Sequence, residues 1–165
     1  MKKWFGAVAL LVVVPLITAE SCGTGTGGSA PGTSTSSKPV AVGTEMKNSD
    51  GLSVTVLSFK RGFTTSNQFD APKAGNEYVQ VVYKLVNGSK HEWSSPLFEL
   101  SLIDANGQKY NEAFVTEGED SVASLAAGGH ADAVHDVYEV PKGLAIDVVW
   151  KPNLFESTVF QTTLT

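Results

Sequence analysis

A single cysteine, Cys22, stands among 165 residues, so no intramolecular disulfide can form and the bridged framework of many small exported domains is excluded. Positive charge is scarce as well. Twelve Lys and Arg face 17 Asp and Glu, for a formal charge of −5 and a pI near 5.1. No basic stripe exists to neutralise phosphates, which excludes nucleic acid as a partner. The sequence contains no Gly-x-Ser-x-Gly elbow, no phosphate-binding loop and no dinucleotide fingerprint, so no cofactor is implied and the chain reads as a non-enzyme. Internal repeats and convincing amphipathic helices are also missing. Stability therefore rests on an ordinary packed core, for which the 126 residues after Pro39 suffice.

What is present is concentrated first at the amino end. Met1-Lys2-Lys3 is a positive start, and Trp4 to Thr18 is an uncharged apolar run of 15 residues. That is short of the roughly 20 residues a membrane-spanning helix needs, and it fits the charged and apolar regions of an export signal over residues 1–21. Cys22 follows Ala19-Glu20-Ser21 and precedes Gly23. The segment resembles a lipobox, in which a small residue precedes a cysteine that is acylated and then becomes the new amino terminus. Ser21 and Gly23 fit this pattern; Ala19 stands where Leu is usual, and Glu20 departs from the preference for small uncharged residues. The alternative is cleavage after Ala19, which would release a secreted protein with a free thiol. The position of the only cysteine, at the end of the apolar run, favours the lipid, because two acyl chains give the stable anchoring that one does not.

Loss of residues 1–21 removes Lys2, Lys3 and Glu20 and leaves 10 basic and 16 acidic side chains. Such a protein is held to the extracytoplasmic face of the membrane by its lipid and not by headgroup electrostatics. Residues 22–39 form the anchored linker. From Gly23 to Pro39, 13 of 17 residues are Gly, Ser or Thr, a composition that buries no apolar surface and reaches on the order of 20–25 Å as a coil.

Residues 40–165 read as strands, because the hydrophobic period there is two. Leu52 to Phe59 alternates, with Ser53, Thr55 and Ser58 on the wetter positions. Glu77 to Val86 sets Val79, Val81, Tyr83 and Leu85 against Gln80 and Lys84, and Phe98, Leu100 and Leu102 share one face. Asn106-Gly107 lies between two extended runs and predicts a tight reversal into Lys109 to Val115, since both residues tolerate positive φ. Ala127-Gly128-Gly129 marks another turn. His130 to Val140, Ile146 to Trp150 and Thr158 to Leu164 complete seven or eight strands. An all-β, two-sheet antiparallel sandwich is the natural way to bury their apolar faces.

The order of these features is similar to a bacterial lipoprotein family built on a domain of unknown function with an immunoglobulin-like sandwich. The residues that carry the likeness are Val42-Gly43-Thr44, Gly51-Leu52, Gly75-Asn76-Glu77-Tyr78, Val86-Asn87-Gly88-Ser89, Asp104 with Gly107, Leu125 to Gly128, and Tyr138-Glu139-Val140-Pro141. Ala127 stands where members usually have Pro. The mycobacterial immunoprotective extracellular antigen shares that superfamily. The resemblance implies an immunoglobulin-like β-sandwich in an extracytoplasmic, often lipidated setting, and it brings no catalytic residues.

Several groups invite a chemical reading. His130, Asp132, His135 and Asp136 crowd one segment. Strand alternation puts His130, Asp132 and Asp136 on one face and His135 on the other, which keeps the two histidines off a common ion, with His91 remote in sequence. Asp104 to Gln108 is no calcium loop, because its glycine comes two positions early and Val115 stands where the twelfth-position Glu belongs. Glu117, Glu119 and Asp120 read as a wet acidic loop, with weak calcium binding or paired-carboxylate chemistry as the other uses of such residues. Trp93, and Phe63 and Phe69 in the long connection from Arg61 to Asn76, are the candidate partner-binding residues; the other reading is that these aromatics cap the core.

The functional expectation is a lipid-tethered interaction module for a protein or cell-envelope partner. Its rivals are a small-ligand or metal carrier and, third, an envelope-polymer hydrolase. Replacement Cys22→Ser is expected to move the protein from the membrane fraction to the medium, and mass spectrometry of the native chain to show acylated Cys22 at its amino terminus. An intact Met1 on the native protein would overturn the export reading.

Overall fold

The computed structural model describes residues 38–94, 99–152 and 159–164. Cys22, the signal segment, nearly all of the linker and the expected strand residues Pro96 to Phe98 lie outside the described residues. Eleven strands form an all-β sandwich with no helix among the described residues. They are β1 (Val40–Ala41), β2 (Glu45–Lys47), β3 (Leu52–Phe63), β4 (Asn76–Asn87), β5 (Trp93–Ser94), β6 (Glu99–Asp104), β7 (Lys109–Tyr110), β8 (Ser124–Leu125), β9 (His130–Pro141), β10 (Ile146–Lys151) and β11 (Phe160–Leu164). One sheet has the order β1-β11-β10-β6-β7, the second β2-β3-β4-β9, and β5 pairs β8 in a small ribbon.

The long strands fall where the alternation places them, and each half-buried face points into the gap between the sheets. Val54, Val56, Val79, Val81, Leu85, Tyr138 and Val140 meet Leu100, Leu102, Ile146, Val148, Trp150, Phe160 and Leu164 in one cluster. Trp150 is fully buried and stacks on its cross-strand neighbour Phe160 with centroids 4.7 Å apart, a pairing that adds about 0.5–1.5 kcal/mol beyond area burial. Across the gap, the Thr162 hydroxyl donates to the Met46 sulfur at 3.3 Å.

Departures from the expected pattern have local causes. One pair, β1 with β11, is parallel, and the other strand pairings among the described residues are antiparallel. The four strands the period did not reveal, β1, β2, β5 and β8, have only two or three residues each, too few to show a repeat. Ser53 is buried rather than wet. The expected extended run from Lys109 to Val115 pairs only at Lys109 and Tyr110 and by a single bridge from Glu112 to Tyr138. The turn before it is a three-residue loop: the Asp104 N–H donates to the Gln108 carbonyl at 3.0 Å, and Gly107 takes φ +82°. The Asp104 carboxylate accepts from the N–H groups of Asn106 and Gln108 at 2.8 and 2.9 Å, and these bonds hold it below the ordinary carboxylate range.

Three bulges re-aim side chains. Leu57 is extra between the Val56 and Ser58 pairings, Gly62 between those of Arg61 and Phe63, and Asp132-Ala133 together oppose Lys84. A bulge inserts one residue into a period of two, so the faces exchange beyond it. Leu57 is turned out to solvent. Arg61 gains a partly buried pairing in which its guanidinium donates to Glu77 at 2.6 and 3.0 Å and to the Leu144 carbonyl at 2.7 Å.

At the end of β4, Asn87 is fully buried. Its amide donates to the carbonyls of His91, Leu125 and Ala126 at 2.8, 2.9 and 3.1 Å, and its oxygen accepts from the N–H and hydroxyl of Ser89. Replacement Asn87→Ala leaves several buried polar groups without partners and is expected to cost about 2–3 kcal/mol in urea unfolding; a loss below about 0.5 kcal/mol would show that this clamp is dispensable.

Candidate functional site

A cavity of about 610 Å³ opens on the flank of the sandwich beside β9. Its inner wall is made by residues that alternation turns toward the core: Tyr83 and Leu85 of β4, Leu100 of β6 and Asp136 of β9. Trp93 of β5 closes one side. The rim is the connection from Asn111 to Val122. This segment is tied to the edge of β9 at two points, where the Ala113 N–H donates to the Val137 carbonyl at 2.7 Å and the Asp120 N–H to the His135 carbonyl at 2.8 Å. Between these ties it bows outward and makes the mouth.

A second loop braces the bow. The Ser66 N–H and hydroxyl donate to the Glu117 carboxylate, the Asn67 amide donates to the Thr116 hydroxyl at 3.0 Å, and the Thr116 N–H and hydroxyl donate to Asp70 at 2.7 and 2.5 Å. From below, the Gln80 amide donates to the Gly118 carbonyl at 2.9 Å. A Cβ at Gly118 would stand 2.4 Å from the Phe63 ring, and its φ is +84°, so only glycine fits over Phe63 here.

The acidic loop therefore divides its charges. Glu117 is taken by Ser66, whose hydrogen bonds hold it below the usual range. Asp120 is taken by the His135 ring at 2.5 Å. Glu119 faces the cavity, where burial and then the neighbouring carboxylates of Glu112, Asp136 and Asp70 push it up to about 7. Asp136 is only 7% exposed. Burial and then the nearby Glu112 push it up to about 7, against the opposing hydrogen bonds from the hydroxyls of Tyr83 and Tyr138. Tyr138 Oη lies 3.1 Å from Asp136 Oδ2 and 3.3 Å from the Leu100 carbonyl. Burial also raises Glu112.

The expected face assignment on β9 needs correction. The Asp132-Ala133 bulge exchanges the faces, so Asp136 pairs with Val81 and turns to the core with Val134, Tyr138 and Val140, while His135 takes the outer face. His130 and Lys84 both contact Asp132 there, at 3.3 and 2.8 Å. Among the described residues no three His, Cys, Asp or Glu side chains converge as metal ligands do.

The three aromatic candidates part company. Trp93 is half-buried, pairs with Leu125 and packs on the core while lining the cavity. Phe63 ends β3 instead of lying in the connection, and packs under Gly118. Phe69 is 84% exposed, and Phe114, which sequence reasoning passed over, is fully exposed. Both sit on the two loops that brace each other. Sequence reasoning also missed Asp136 as a cavity residue, although counting alternation backward from Val140 and Tyr138 reaches it on the core face.

No family model and no curated protein matches the chain. Solved structures do share its fold. A secreted protein of Mycobacterium tuberculosis, MPT63, is 16% identical over 78% of this chain and all of that one, with a TM-score of 0.57. An uncharacterised β-sandwich protein of Clostridium difficile is 13% identical over 81% of this chain and 99% of that one, with a TM-score of 0.51. A Bacillus subtilis protein provisionally described as a lipoprotein is 13% identical over 72% of this chain and 38% of that one, with a TM-score of 0.55. At such identities the likeness shows the fold, and function has to be argued from the site.

The raised carboxyls make stability depend on pH in a definite direction. Between the unfolded value near 4 and the folded value about 7 the native state holds a proton on Asp136 that the unfolded chain has lost, so stability falls as pH rises through that window. The thermal midpoint is expected to be lower at pH 8 than at pH 5. Asp136→Asn, which copies the neutral acid, is expected to flatten that slope and to stabilise the protein at pH 8 by about 1–3 kcal/mol. A variant as pH-sensitive as the parent would contradict the assignment.

Proposed function

We propose that this protein is a non-enzymatic interaction module held outside the membrane by a lipid on Cys22, and that it engages a protein or cell-envelope partner through the paired loops that carry Phe69 and Phe114. The observation that carries the reading is that two large aromatic side chains stand in water on loops bonded to each other through Ser66, Asn67, Asp70, Thr116 and Glu117. Exposed phenylalanines contribute nothing to folding, whereas aromatic anchors on rigid loops contribute most of the energy of many interfaces. Bracing in advance lowers the entropy lost on association. Phe63, under Gly118, serves this surface as a prop, and Trp93 belongs to the cavity.

Placement outside the cell is supported by the positive start, apolar run and Cys22 of the sequence, and by the occurrence of the same fold in a secreted protein and in a provisional lipoprotein. The double replacement Phe69→Ser with Phe114→Ser is expected to leave the thermal midpoint within about 2 °C of the parent, because both side chains are already hydrated. The same variant is expected to lose at least tenfold in saturable binding to envelope preparations of the producing cell. Unchanged binding would remove these residues from the interface.

A further inference from the structure

We propose that the flank cavity binds an organic cation, an amine or amidine on a small apolar body. Its charge would sit among Glu112, Glu119 and Asp136, and its apolar part would lie against Trp93, Leu85 and Leu100. The site is separate from the loop surface of Phe69 and Phe114.

Three observations carry this assignment. The first is size: about 610 Å³ reaching to core-face side chains lies within the range of small-molecule sites. The second is charge. Glu112, Glu119, Asp120 and Asp136 all line the cavity, and no Lys or Arg is among the described residues that do. Asp120 has His135 as a partner, but none of the other three forms an ion pair within the described residues, and Glu119 Oε1 is a buried oxygen without a hydrogen-bond partner there. A buried carboxylate without a counter-charge costs stability, and a cationic guest supplies the missing charge.

The third observation separates an organic cation from a bare metal ion. The carboxylates do not converge as a ligand shell, and the lining also includes an indole and two leucines, whose side chains offer a metal no ligand. An indole and aliphatic side chains do suit the apolar body of an arylalkylamine.

The groups that face Asp136 are Tyr83 from β4, Tyr138 from β9, and Glu112, Glu119 and Asp120 from the rim, with His135 behind Asp120. A carboxyl must be ionised to offset the charge of the cation, so binding is coupled to proton release from the raised acids Asp136 and Glu119. Affinity rises with pH up to the neutral range and levels off above it.

The test is calorimetric titration of the purified full-length protein in nonionic detergent with 2-phenylethylamine, benzamidine and tryptamine. Neutral 2-phenylethanol, anionic phenylacetate and calcium chloride are titrated alongside. At pH 8 at least one amine or amidine is expected to bind with a Kd below about 1 mM, at least tenfold more tightly than its neutral and anionic counterparts. The affinity should weaken about fivefold or more at pH 6. Asp136→Asn should abolish this preference while the thermal midpoint at pH 8 holds or rises, and Glu119→Gln, at the rim, should weaken it at least threefold in a chain whose core is untouched. The proposal is overturned if none of the three cations binds at 10 mM, if the alcohol binds as well as the amine, if both variants bind like the parent, or if calcium alone binds more tightly than every organic cation and displaces it.

Discussion

The carboxamide of Asn87 is the interaction on which the arrangement of this domain depends. It is fully buried where β4 leaves the sheet, and its five hydrogen bonds reach the chain on both sides. Its backbone joins in, accepting from the Gly128 N–H and donating to the Gly129 carbonyl, each at 2.8 Å. One side chain thus holds together the end of β4, the approach to β5 and the turn after β8. Next to it the backbones of Gly88 and Gly51 pass so closely that a Cβ on Gly88 would lie 2.9 Å from the Gly51 carbonyl oxygen. That contact admits no larger residue and fixes β3 against β4 at the same level. Trp93 and Leu125, paired across β5 and β8, inherit their position from this clamp, and so does the cavity wall that Trp93 makes.

Much of the frame could be seen in the sequence, because β3, β4, β9 and β10 are long enough for a period of two to show. The motif Val86-Asn87-Gly88-Ser89 with Gly51 stands out for the same reason that the structure needs it: a buried amide and two backbones in contact leave little choice of residue. The bulges could not be seen. An inserted residue at Leu57, and another within Asp132-Ala133 opposite Lys84, leaves composition untouched and reverses which side chains face inward. The cavity was hidden on two counts. Its carboxylates come from two separate stretches of chain, and Asp136 points outward when alternation is counted from His130 and inward when it is counted from Val140, a conflict that only the bulge resolves. Phe69 could be picked out as a loop aromatic, whereas Phe63, in the same stretch of sequence, turned out to prop up a loop.

The two surfaces of the domain place their costs differently. At the loops, Glu117 and Asp70 are held below the ordinary carboxylate range by hydrogen bonds from Ser66 and Thr116, so charge there is satisfied and the exposed aromatics are the unfavourable feature. Inside the cavity the aromatic and aliphatic groups are well packed, and the carboxylates are the unfavourable feature. Departures from the best-packed arrangement tend to gather where a protein meets something else. Here they gather at two places of opposite character, one apolar and open, the other anionic and recessed.

The parallel pairing of β1 with β11 also settles an orientation. Val40 lies beside Thr162 and Ala41 beside Thr163, so the chain arrives from the end of the sandwich that holds Trp150, Phe160 and the Asn87 clamp. The connection from β3 to β4, with Phe69, leaves from the opposite end. Under the proposed anchoring at Cys22, the clamped pole is the one nearer the attachment and the phenylalanine loop lies at the far pole, like a lamp at the end of its cord.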